Sequence, residues 1–184
     1  KNIGLNYFKS FVSNTHLYNP LLFKDGRFNK IKIAPIELND GEIKFVEDLE
    51  EYLNKNPIET SEIFLLRNKS KEGIGFFEDG GFYPDFILWI LKDGKQYINF
   101  CDPKGIRNLN PKNDPKINFH KSLKEKEAKL ADSSIVLNSF IISNTPFNKI
   151  QDLHSDITKI EMDTKNVLFQ NESGYINTMF SKIL

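Results

Sequence analysis

The spacing of apolar residues changes period along the chain, and each change predicts an element. At about 100° per residue, Phe45, Val46, Leu49 and Leu53 all lie within about 60° of the direction of Glu42. An amphipathic helix is predicted, with Glu42 on the midline of its apolar stripe. Glu47 and Glu51 point to solvent and Glu50 lies at the margin. Asn39 and Glu42 have the spacing of a capping box, and Asn56-Pro57 ends the helix. The period then shortens. Glu62 to Arg67, Ile74 to Phe77 and the nearly continuous apolar run Phe82 to Leu91 read as strands. Lys92-Asp93-Gly94-Lys95 is a hairpin signal, and Tyr97 to Asp102 is the partner strand. Because the long run, Trp89 included, is apolar on both faces, it is predicted to be central and buried.

After a polar loop, Asp114 as cap and Pro115 at the first helical position open a second helix to Ala131, followed by a strand from Ser134 to Ser143. A strand around Val167 to Gln170 and a helix from Tyr175 to Leu184 close the chain. The middle reads helix, three strands, helix, strand, which is an α/β fold with a mixed sheet flanked by helices. Residues 1–35 are mixed in signal, with Tyr7, Phe8 and Phe11, a turn at Asn19-Pro20 and a hairpin turn at Asp25-Gly26. They are read as a lead-in packing on a core of residues 36–145, with 146–184 as an extension of the same domain.

Composition narrows the class. The chain has 184 residues, 39% hydrophobic and 27% charged, enough to build one core without disulfide or metal staples. No apolar run approaches the roughly 20 residues of a bilayer span, so no membrane partner is expected. Cys101 is the one cysteine, which fits a reducing, cytoplasmic location. The chain opens at Lys1, not Met, which suggests a piece of something longer.

Lysines and arginines number 25, aspartates and glutamates 25. That neutrality is a sum over two opposed blocks. Glu37, Asp40, Glu42, Glu47, Asp48, Glu50, Glu51, Glu59 and Glu62 make one stretch acidic; Lys104, Arg107, Lys112, Lys116, Lys121, Lys124, Lys126 and Lys129 make another basic. Each block reads first as a solvated surface, but the basic one can meet phosphate if folding keeps it together.

The candidate chemistry lies between them. Hairpin pairing about Asp93-Gly94 brings Asp85 to the end of the sheet where Asp102 and Lys104 stand, the latter two sharing a face. Two carboxylates suit a hard divalent cation such as Mg²⁺, with Mn²⁺ as a substitute, and a lysine beside them can orient water or offset charge on a phosphoryl transition state. Glu42 is a fourth group, since a carboxylate on a buried stripe needs a partner, although a capping-box acid at the helix end accounts for it too.

Gly81-Phe82-Tyr83-Pro84-Asp85-Phe86, followed across the hairpin by Asn99-Phe100-Cys101-Asp102-Pro103-Lys104-Gly105, resembles the PD-(D/E)XK nuclease signature. The element order is similar to that superfamily's α-β-β-β-α-β core. More narrowly, Phe82 to Phe86 with the later Asp102-Pro103-Lys104-Gly105 resembles the C-terminal nuclease domain joined to superfamily 2 helicase motors in type III restriction enzymes and related phage-defence proteins. The resemblance covers residues 36–145 and implies a restriction-endonuclease-like fold and a Mg²⁺-dependent DNA endonuclease partnered by a helicase motor. It implies cation binding by Asp85 and Asp102, with Glu42 completing the site, and assistance to the attacking water by Lys104. Pro103 departs from the pattern, and its missing N–H could alter the angle of Lys104.

The resemblance also implies a positive wall for the DNA backbone at Lys121 and Lys124, with Arg107 and His120 nearby. His16, His120 and His154 lack zinc-ligand spacing, and Gly73, Gly75, Gly80 and Gly81 lack the Lys-Ser/Thr ending of a phosphate loop. Gly80-Gly81 is read instead as shaping a tight approach to the central strand. The residues leave open a non-catalytic DNA-binding or protein-interaction module of the same fold.

Overall fold

Asp93 and Gly94 both have positive φ, 51° and 75°, the geometry of a two-residue hairpin turn whose twist matches the flanking strands. The turn sets the antiparallel register from Lys92↔Lys95 to Phe86↔Cys101. Around this hairpin a computed structural model describes residues 38–68, 73–76 and 82–184, together with the backbone of three short strands nearer the N-terminus. In chain order the elements are β1 (Phe8–Ser10), β2 (His16–Tyr18), β3 (Leu22–Lys24), α1 (Asp40–Lys55), β4 (Ser61–Arg67), β5 (Phe86–Lys92), β6 (Lys95–Lys104) and α2 (Pro115–Leu130). Then follow β7 (Ile135–Ser143), α3 (Phe147–Gln151), α4 (Lys159–Thr164), β8 (Val167–Phe169) and α5 (Tyr175–Ile183). The main sheet has the order β2-β4-β5-β6-β7-β8, while β1 and β3 pair separately. β4, β5 and β6 are antiparallel neighbours; β7 joins β6, and β8 joins β7, in parallel. The segment from α1 to β7 thus follows the predicted α-β-β-β-α-β order in an α/β sheet.

Each face of the sheet has its own cover. Phe45, Val46 and Leu49 of α1 and Ile176, Met179 and Phe180 of α5 bury Ile63, Leu65, Leu88, Ile90, Phe140 and Ile142. On the opposite face Phe119 and Leu123 of α2 bury Ile87, Phe100 and Leu137. The capping box at Asn39 and Glu42 forms as predicted. Inside the sheet, Asn99 donates to Leu88 O at 2.9 Å and accepts from Asn138 Nδ2 at 2.9 Å, linking three adjacent strands through buried amides.

The structure departs from the sequence reading in several places. Trp89, predicted to be core, is 40% exposed. It pairs with Phe64 on the same face of β5 as Ile87, but further along the strand than the part that Phe119 and Leu123 of α2 cover. Of the predicted strand Ile74 to Phe77, the described part makes a single bridge, Phe76↔Phe82. A Cβ on Gly75 would lie 2.3 Å from the Tyr83 ring, so the glycine lets that ring lie against the backbone in place of a regular ladder. β5 begins at Phe86, not Phe82, because Pro84 has no N–H to give to a ladder. The short helices α3 and α4 have too few turns to show a period, and the sequence reading lacks them. The Asp25-Gly26 turn and the Gly80-Gly81 approach fall outside the described residues.

Phe86 is fully buried, 5.5 Å from the Phe45 ring centroid. Phe86→Ala is expected to cost about 3–5 kcal/mol of unfolding free energy, read from urea denaturation; a loss below about 1 kcal/mol would contradict this packing.

Candidate active site

Asp85 is held by its neighbours before its carboxylate is considered. The buried Asn68, just past β4, donates its backbone N–H to Asp85 O at 2.8 Å. Its side-chain amide donates to Pro84 O and Ile74 O, both at 2.8 Å, and its Oδ1 accepts from Ile74 N at 2.9 Å. One amide therefore fixes the chain on both sides of the approach to β5. Asn68 was not singled out in the sequence, where it looks like an ordinary strand-end polar residue.

Asp102 is 4% exposed and lies at the same end of the sheet, one pair beyond the Phe86↔Cys101 register. Lys104, two residues on, makes an ion pair with Asp102 Oδ2, as the shared face predicts. Its ammonium also lies 5.4 Å from the Phe82 ring centroid, a cation–π distance. Pro103 does not turn Lys104 away, because β6 stays in register with β7 through Pro103↔Ile142 and Lys104↔Ser143.

Asp85 and Asp102 stand across from one another, one pair beyond Phe86↔Cys101, so their carboxyls act on each other. Burial pushes the Asp85 carboxyl up to about 8, reinforced by the neighbouring Asp102 and by Glu42, with Arg67 opposing. Two carboxylates forced together in a partly dry site cannot both ionise freely unless a cation takes the place of the proton. This donor set fits a hard divalent ion, which commonly takes one or two carboxylates and fills its other positions with water and phosphate oxygens.

Glu42 is as buried as its place on the helix stripe implies, 3% exposed, but its oxygens have other partners. Oε2 accepts from Asn39 N at 2.8 Å, and Oε1 pairs with Arg67 Nη2 at 3.0 Å. Among the described residues no group of three or more His, Cys, Asp or Glu side chains is arranged to hold a metal ion. The three-carboxylate set expected from Asp85, Asp102 and Glu42 is therefore reduced to a pair. Arg67, which the sequence reading left as the end of a strand, is the missed residue. Its signal was present: Ile63, Leu65 and Arg67 alternate onto one face, so a charge follows two core positions.

Around α2 the basic residues separate. Arg107 and Lys121 are exposed. Lys124 pairs with Glu127 at 2.9 Å and Lys112 with Asp156. His120 Nδ1 is 3.0 Å from Ile117 O, and burial holds its pKa below the ordinary value despite that contact, helped by the charges of Lys121, Lys165 and Lys182. Lys165 reaches the basic loop, donating to Pro111 O at 2.7 Å. Burial lowers its pKa, and Lys121 and Lys112 push the same way against Glu161. The C-terminal extension thus adds a lysine to this surface, which spacing along the chain could not reveal. Cys101 is fully buried, which drives its thiol well above the ordinary range and leaves it no part in the chemistry.

No protein-family model, curated protein or solved structure matches the chain.

Between an ordinary aspartate value near 4 and about 8, the folded protein keeps a proton on Asp85 that the unfolded chain releases. Stability in EDTA is therefore expected to fall as pH rises from about 4 and to level above about 8. Asp85→Asn, which keeps the neutral form at every pH, should flatten that slope in thermal melts; an unchanged slope would place the titration elsewhere.

Proposed function

We propose that the chain is a Mg²⁺-dependent DNA endonuclease domain of restriction-endonuclease-like fold, working beside a superfamily 2 helicase motor in a restriction or phage-defence system. The observation that carries this reading is the hairpin register that brings Asp85 opposite Asp102 at one end of the sheet, with Lys104 ion-paired to the second carboxylate. The resemblance of the sequence around these residues to the PD-(D/E)XK signature supports it.

Each residue then has a task. Asp85 and Asp102 hold the cation, and Asn68 keeps the Asp85 backbone from moving away. A bound Mg²⁺ supplies Lewis acidity toward a phosphate oxygen and eases deprotonation of water. Lys104 leaves Asp102 to orient the attacking water or to offset charge as the phosphorus–oxygen bond breaks. Water adds at phosphorus, and the leaving oxygen departs with a proton as a hydroxyl group. Lys121, Arg107 and Lys165 would meet the DNA backbone, with Lys124 and His120 assisting. Crowded lysines relieve their repulsion by taking up an anion, which favours a phosphate partner over a neutral one.

Plasmid cleavage tests the chemistry. The wild type is expected to nick or cut DNA with Mg²⁺ or Mn²⁺ and not in EDTA. Asp85→Ala and Asp102→Ala should be inactive, and Lys104→Ala should lose about a hundredfold or more. Equal cutting by all four proteins would overturn the reading. An inactive wild type that still binds DNA would favour a non-catalytic module of the same fold.

Binding tests the surface separately. Lys121→Ala and Lys165→Ala should each weaken DNA uniformly across sequences and reduce the slope of log K against log salt by about 1. Salt-insensitive binding would remove these lysines from the interface.

A further inference from the structure

Arg67, the last residue of β4, carries its charge to the edge of the α1-side core. It is 13% exposed, and its Nη2 is 3.0 Å from Glu42 Oε1. Its guanidinium carbon is 5.0 Å from the centroid of the Phe86 ring. Nη1 is buried and has no hydrogen-bond partner among the described residues. A guanidinium N–H without an acceptor is a penalty for folding, and a buried ion pair seldom stabilises more than apolar residues of the same volume would. Stability therefore does not explain why an arginine stands here.

The strands do suggest why. Ile63 and Leu65 face α1, and Arg67, two residues further, meets Glu42 on that same side. Asp102 and Lys104 share the opposite face with Ile98 and Phe100, under α2. Phe86, whose ring Arg67 covers, packs with the α1-side core. The guanidinium therefore holds the third carboxylate on the far side of the sheet end from the Asp102–Lys104 pair. Its charge is still felt at Asp85.

We propose that Arg67 is a positioning residue, the resident counter-cation of the carboxylate cluster, which keeps Glu42 away from Asp85 and Asp102 and limits the site to one divalent ion. The proposal rests on the cation-binding reading of Asp85 and Asp102 and adds stoichiometry to it. A fixed positive charge beside Glu42 offsets that carboxylate and repels a second cation; removing it frees an uncompensated acid next to the pair.

Mn²⁺ titration followed by calorimetry and by electron paramagnetic resonance, with melting temperatures in EDTA and in Mn²⁺, tests this without reference to cleavage. The wild type should bind one Mn²⁺. Arg67→Met should melt lower in EDTA, recover most of the loss in Mn²⁺, bind the first ion about tenfold or more tightly and take up a second. Arg67→Lys, which keeps the charge, should stay close to wild-type affinity. Glu42→Gln should change affinity less than about threefold alone, yet abolish the gain in the Arg67→Met background, a coupling that a merely structural arginine would not produce. If the wild type binds Mn²⁺ and Arg67→Met binds it with the same affinity and number, the role of Arg67 fails while the cation site stands. If only Arg67→Met binds Mn²⁺, Arg67 is the resident cation and the metal-dependent reading of the wild type fails. If neither binds, both fail.

Discussion

Asp85 and Asp102 would repel one another if both were ionised, and most of what surrounds them serves to hold them together all the same. The hairpin register delivers one carboxylate to the other. Asn68 fastens the backbone on either side of Asp85, and Lys104 offers a charge to Asp102. Remove any of these and two like charges can relax apart by a small shift of the chain. Keep them, and the pair stays ready to exchange a proton for a cation. Local instability of this kind is a common property of sites built for chemistry.

The two signs of charge are divided between the covers of the sheet. The acidic helix α1 compensates part of its own charge, through Lys44 with Asp48 and Lys55 with Glu51, and the Tyr175 hydroxyl of α5 donates to Asp48. The basic side is less settled. Lys121 and Lys112 both act on Lys165, and among the described residues Lys112 is the one of the three in a salt bridge with a carboxylate. A molecule with no net charge thus carries an unbalanced surface on the α2 side.

Much of this was legible in the sequence because it depends on local rules. The capping box, the stripe through Glu42, the Asp93-Gly94 turn and the i, i+2 pairing of Asp102 with Lys104 each follow from spacings shorter than five residues. What was not legible depends on distant partners. Trp89 sits in an apolar run and is exposed because of where α2 lands, which β5 does not encode. Lys165 joins Lys121 only after β8 has docked on β7. Arg67 is intermediate: alternation already put it on a core face, but its reason for being there required Glu42 to arrive from another element. The charge blocks were legible as composition and became meaningful only when the fold gave each its own face.

The Asn99 and Asn138 pair at the centre of the sheet has a consequence for how the sheet closes. Parallel pairing of β6 with β7 has no short turn to align it, and the apolar runs on both strands would tolerate several alignments. Buried amides do not. Their bonds to each other and to Leu88 O are completed in one alignment, and a slip by a single residue would strand them in a dry interior at roughly 1–3 kcal/mol for each lost partner. The two asparagines therefore act as a lock on alignment, giving up some hydrophobic cohesion so that misaligned sheets are unstable.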